Sequence, residues 1–138
     1  MIVQSQTTSF KLELYEAIHN FLTDTFKIAL YTANASLDAN TTAYTTSNEV
    51  SGTGYTAGGI ILTNPTISSS NYTAYVSFDN AVWVSASFTA RAALIYNTTK
   101  ANRSVAVLDF GSDKQATSTF TIVMPPNTAS SALIRSSN

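Results

Sequence analysis

Apolar positions along the chain follow a helical period first and a strand period afterwards. Phe10, Leu14, Ala17, Ile18 and Phe21 recur at intervals of three and four residues, which places them on one stripe of a helix over residues 10–22. Ser9 or Thr8 is positioned to cap its first turn by accepting a bond from an otherwise unpaired N–H. Glu13, Glu16 and Asn20 lie on the opposite side. Leu12 and Tyr15 fall off the stripe and offer apolar surface to a second contact, such as another subunit. From Phe26 the period drops to two, with Phe26, Ile28 and Leu30 on one face and Lys27, Ala29 and Tyr31 on the other. Further strands are expected near residues 60–63, 72–78, 81–84, 87–96, 103–110, 118–124 and 132–135, punctuated by Pro65 and by Pro125 and Pro126. Residues 34–59 form a long polar stretch, and a loop of that length in a small domain is usually functional or ordered by a partner.

The sharpest local expectation is a hairpin of residues 87–96 and 103–110, joined by the turn formers of 97–102. Pairing Tyr96 with Ser104 sets Leu94 against Ala106, Ala92 against Leu108 and Ala90 against Phe110 on one face. The other face then pairs Ile95 with Val105, Ala93 with Val107 and Arg91 with Asp109. The two charges of these apolar strands meet directly opposite each other, as a structural pair. A one-residue slip would turn both apolar sets over, so this register is expected throughout.

Closely spaced strands with turns between them and one leading helix predict an all-β fold, a β-sandwich or compact antiparallel barrel of about seven or eight strands with one N-terminal helix. One domain is expected over residues 1–138: an extended arm at 1–8, the helix, and a sandwich over 26–135. A parallel α/β sheet is disfavoured, because no second helical segment supplies crossovers.

Composition narrows the function classes. Charged residues are 11% of the 138, against about 25% in an ordinary soluble protein, and Thr, Ser and Asn take their place. Seven basic and eight acidic side chains leave a net charge of -1, with no basic field for a nucleic-acid backbone. There is no Cys for a disulfide, thiol nucleophile or Cys-based zinc site. No apolar run approaches the roughly 20 residues needed to cross a bilayer, so no membrane partner is expected. The N-terminus lacks the pattern of a secretory signal, so the Asn-x-Ser/Thr triplets at Asn34, Asn40, Asn71, Asn97 and Asn102 read as chance products of composition.

Candidate chemistry is sparse. His19, the only histidine, reads as a solvated helix residue with no second His or Cys to share a metal. The Asp109/Asp113 and Asp79/Asn80 pairs read as an ion pair and turns, so no metal or cofactor is expected. The glycines of residues 52–59 lack the Lys-Ser/Thr ending of a phosphate loop and lead into a strand, so they are read as permitting tight turns and close backbone contact. No Gly-x-Ser-x-Gly elbow occurs, and no carboxylate pair is nominated by spacing, so the chain is read as a non-enzyme. Tyr44 and Tyr55 stand in the long loop as interface candidates or as a cluster folded back over the sandwich. Ile2 and Val3 in the arm are the other interface candidates. Trp83 or an exposed Tyr could serve as a sugar platform, although the Ala81–Val84 context favours burial of Trp83.

Four blocks carry a resemblance: residues 24–32 (DTFKIALYT), 48–59 (NEVSGTGYTAGG), 88–96 (FTARAALIY) and 102–111 (NRSVAVLDFG). With them the chain resembles small structural virion proteins of tailed bacteriophages, over about residues 10–135. Within that class it looks like a capsid decoration (cement) protein. The resemblance implies no catalytic residue and no cofactor. It implies a protein made in the host cytoplasm and placed on the outer capsid surface, with the major capsid protein as partner and self-association, a trimer favoured. A tail or head-fibre component and a carbohydrate-binding sandwich module are the alternatives.

Overall fold

A computed structural model describes residues 1–137. Thr7, rather than Thr8 or Ser9, caps the helix: its backbone is extended and its hydroxyl accepts from Phe10 N–H at 3.3 Å. The helix α1 (Thr8–Tyr15) has 8 residues and ends seven residues before the expected end at Leu22. It stops in a Schellman motif, in which Ala17 N–H donates to Leu14 O at 3.1 Å and Ile18 N–H to Glu13 O at 3.0 Å. Ala17 takes the left-handed conformation (φ 58) that glycine usually supplies. With no Gly or Pro at the stop, the three-to-four periodicity runs on past the true end. Phe10 and Phe21 are still buried, but Phe21 reaches the core from a turn.

Among the described residues there are ten strands: β1 (Ser5–Gln6), β2 (Phe26–Tyr31), β3 (Ile60–Ile61), β4 (Thr66–Ser70), β5 (Thr73–Ser77), β6 (Ala81–Trp83), β7 (Phe88–Asn97), β8 (Arg103–Ala116), β9 (Phe120–Ile122) and β10 (Ile134–Ser137). Eight of them answer to expected strands with shifted bounds, while β1 and β4 lie where the sequence pattern predicts none. The chain is all-β with one N-terminal helix. One layer is a five-stranded sheet in the order β1-β8-β7-β2-β3, and all its pairings are antiparallel. Opposite it lie β10-β5-β4 and β6-β9, also antiparallel. The main core fills the space between them, with Ile28, Leu30, Ala93 and Ile95 facing Val76, Phe78, Trp83, Phe120 and Ile134. A second cluster lies on the other face of the five-stranded sheet, where Ala29, Tyr31, Leu94, Tyr96 and Val107 pack under Ala35, Leu37 and Tyr44 of the long loop. Strands β2 and β7 are therefore covered on both faces.

That double burial explains where the hairpin register departs from expectation. Tyr96 pairs with Ser104, but a bulge at Val105 then sets Ile95 against Ala106, Leu94 against Val107, Ala93 against Leu108 and Ala92 against Asp109. Alternation pins register when one face is apolar; here both are, so the extra residue is accommodated by turning Val105 and Ala106 into the same core. A second irregularity sets residues 110–113 against Arg91 alone. Arg91 is consequently not opposite Asp109, yet their side chains still approach, with Nε to Oδ1 at 3.5 Å. Both are about one-third exposed and Arg91 Nε has no hydrogen-bond acceptor. Arg91→Ala is expected to cost no more than about 1 kcal/mol in urea denaturation, the range of exposed pairs.

The arm at residues 1–8 is not free. Ile2 bridges Leu37, Val3 N–H donates to Leu37 O at 2.9 Å, and β1 extends the sheet alongside β8. Ile2 is half-buried against the second cluster, whereas Val3 is 45% exposed.

Candidate functional site

Two polar networks organise the surfaces around the sheet. The first holds the long loop. Residues 48–50 run beside the end of β2, with Thr32 N–H donating to Asn48 O and Val50 N–H to Leu30 O, each at 2.9 Å. This places the Glu49 carboxylate over the sheet, where the hydroxyl of Tyr44 donates to Oε1 at 2.6 Å and the hydroxyl of Tyr55 to Oε2. Gly58 N–H donates to the same Oε2 at 2.8 Å. Tyr55 also accepts from Leu30 N–H at 2.9 Å, Tyr96 donates to Gly58 O at 2.6 Å, and Tyr31 donates to Thr45 O at 2.6 Å. The rings of Tyr44 and Tyr96 stack at 4.7 Å.

Burial, followed by the charge of Glu49, pushes the Tyr96 hydroxyl up to about 12. Burial also raises Tyr31, against the opposing bond to Thr45, and raises Tyr44 and Tyr55, reinforced by their bonds to Glu49. Sequence reasoning did not single out Glu49. Tyr44 and Tyr55, read as interface candidates, are half-buried and hold the loop down with their hydroxyls. Gly59 lets the loop meet the sheet: at φ +80 its missing Cβ would fall 1.8 Å from Ile28 O. The glycine stretch does aim an N–H at an anion, but the anion is the chain's own Glu49.

The second network joins α1 to the β7–β8 turn. His19, expected in solvent, has a fully buried side chain. Its position follows from the early helix stop, which removes it from the helical surface and turns it inward. His19 Nε2 is 2.8 Å from Glu13 Oε1, and Arg103 Nη1 donates to Glu13 Oε2 at 3.1 Å. Asn97 Nδ2 is 3.0 Å from His19 Nδ1 and donates to Asp24 Oδ2 at 2.8 Å. Lys100 Nζ donates to Asp24 Oδ2 at 3.0 Å and to Ile18 O at 2.6 Å. Burial acts to raise the Asp24 carboxyl. Hydrogen bonds from Asn97, the Asn20 backbone and Lys100, together with the Lys100 charge, outweigh it and hold the group below its ordinary value.

A groove of about 690 Å³, open to solvent, lies between the β1–β8 edge, residues 122–125 and β10, with Leu108, Phe110, Met124 and Leu133 among its lining. Gln6 spans it, donating from Nε2 to Arg135 O at 3.1 Å. Among the described residues no group of three or more His, Cys, Asp or Glu side chains converges to hold a metal ion, and no helix is long and apolar enough to cross a membrane.

No family model, curated protein or solved structure matches this chain. The site must be read from its own side chains. Trp83 is 3% exposed between Tyr55 and Phe120, so its ring offers no sugar platform. The outward apolar positions are elsewhere. Leu12 and Tyr15, one turn apart on α1, are 60% and 90% exposed, and Leu22 in the following turn is 75% exposed. Val82 is exposed on β6, Val84 and Val123 in the residues just after β6 and β9, and Ile67 and Tyr72 on the β4–β5 hairpin.

Proposed function

We propose that this protein is a structural virion component that decorates a bacteriophage capsid and stabilises it by bridging capsid subunits. The observation that carries the reading is the character of the surface. Seven charged side chains are engaged within the chain, in Glu13–Arg103, Asp24–Lys100, Arg91–Asp109 and the Glu49 cluster. What faces outward is largely Ser, Thr and Asn, interrupted by exposed Leu12, Tyr15, Leu22, Val82, Val84 and Val123. Large apolar and aromatic side chains surrounded by uncharged polar groups suit wet interfaces between proteins. Low charge also spares repulsion between many copies on one lattice. The resemblance of four sequence blocks to virion proteins supplies the partner class, the major capsid protein, and the outer capsid surface as the location. The role needs no reacting group or cofactor. Stabilisation arises by linkage: a protein that binds the assembled shell but not its separate subunits shifts the equilibrium toward the shell.

Purified protein incubated with empty assembled shells and with unassembled capsid subunits tests this. Retention on shells alone, in copy numbers proportional to the lattice, is the expected result. A handful of copies per particle would place the protein in the tail or a head fibre instead. The double variant Leu12→Ser, Tyr15→Ser is expected to change unfolding free energy by no more than about 0.5 kcal/mol, because both side chains are already solvated. Its retention on shells is expected to fall.

A further inference from the structure

We propose that His19 and Asn97 form an acid-released latch holding residues 16–24 against the β7–β8 turn. The state of the ring is dictated by its neighbours. Asn97 Oδ1 accepts from Thr99 N–H at 3.0 Å and Lys100 N–H at 3.2 Å, while its Nδ2 donates to the Asp24 carboxylate at 2.8 Å. Turning the amide over would set NH₂ against two N–H groups and oxygen against a carboxylate, so its orientation is locked. The atom it presents to His19 Nδ1 at 3.0 Å is therefore a donor, and Nδ1 must be bare. The ring proton resides on Nε2 and is donated to Glu13 Oε1 at 2.8 Å.

The latch has room for the neutral ring alone. The charged groups around it are Glu13 from α1, Arg103 from β8, Asp24 from the turn before β2 and Lys100 from the β7–β8 turn. Two positive and two negative charges balance. A proton on Nδ1 would place one donor against another at 3.0 Å and add an unmatched charge to a balanced set. The ring is covered by Phe10 at 5.0 Å and Phe26 at 6.3 Å between centroids, so solvent does not relieve it in place. Relief comes from withdrawal of the imidazole, which loosens residues 16–24 and the Lys100 bond to Ile18 O. That segment carries exposed Leu22, so acid loosens the presentation of this outward apolar side chain.

Because the chain has one histidine, ¹⁵N spectra of the intact protein report this ring without ambiguity. At about pH 8 a bare Nδ1 and a protonated Nε2 are expected; the opposite tautomer would overturn the proposal even if no variant folds. Amide protection factors over residues 16–24 and 98–102 are then compared at about pH 8 and about pH 5. A loss of roughly tenfold or more at the lower pH is expected. In His19→Gln, which retains a donor and an acceptor but takes up no proton, that loss should disappear. Equal loss in both proteins, or none in the unmodified one, refutes the latch.

Discussion

Glu49→Ala is expected to release the long loop from the sheet and lower unfolding free energy by about 3–5 kcal/mol. The carboxylate accepts from Tyr44, Tyr55 and Gly58 N–H, and each bond to a charged acceptor is worth about 1.5–3 kcal/mol. Alanine removes the one acceptor on which these three donors converge. Partial access of water to Tyr44 and Tyr55 keeps the total below the sum of the three bonds. The second core cluster is covered by this loop, so Tyr31, Tyr96 and Leu94 lose their shelter as well. Thermal unfolding should shift down by many degrees, and limited proteolysis should cut within residues 43–58 at protease levels that spare the parent. A variant that melts within about 1 kcal/mol of the parent would show that the carboxylate is not what holds the loop. Glu49→Gln should fall between them, because its amide oxygen keeps one acceptor while its NH₂ meets a donor.

The same cluster predicts steep destabilisation by alkali. An unfolded tyrosine ionises near pH 10, whereas folded Tyr96 holds its proton to about 12 and Tyr31, Tyr44 and Tyr55 hold theirs higher still. Above about pH 10 the folded chain therefore binds more protons than the unfolded one, and stability falls as pH rises. Below that pH all four are protonated in both states and the contribution is complete. Each tyrosine contributes up to about 1.4 kcal/mol per pH unit, less for Tyr44 and Tyr55, which water partly reaches. A domain stable by about 5–15 kcal/mol should consequently unfold between about pH 10 and pH 12. Urea titrations monitored by circular dichroism across that range measure the slope, and Tyr96→Phe should reduce it by one proton. A stability curve that stays flat to pH 12 would mean that these hydroxyls are not buried.

Local pattern carried much of the fold. The alternation of residues 26–31, the small and branched residues of 88–96 and the turn formers of 97–102 place β2, β7 and the hairpin turn within a residue or two of their observed positions. Those segments are long and continuously apolar, so pattern and packing agree. Strand β4 (Thr66–Ser70) escaped notice because every residue of it is exposed and no alternation marks it. The helix was overextended because Ala17 does at its end what a glycine would have announced. Glu49 was invisible because one acid in a polar loop resembles any other. Its value arises only when Tyr44, Tyr55 and Gly58 converge on it from five to nine residues away in sequence and Tyr96 closes over the loop.

What the amino-acid order determined by itself was the strand-rich architecture, the leading helix and the scarcity of charge, since each depends on residues adjacent in sequence or on composition alone. The tertiary structure decided which polar groups lie inside. His19 was turned inward by a helix stop, and Arg91 was displaced from Asp109 by bulges that two apolar faces permit. Tyr44 and Tyr55 were drawn down by one carboxylate. Hydrogen-bond partners and burial depend on segments that meet only after the sheet has formed, and spacing along the chain does not encode those meetings.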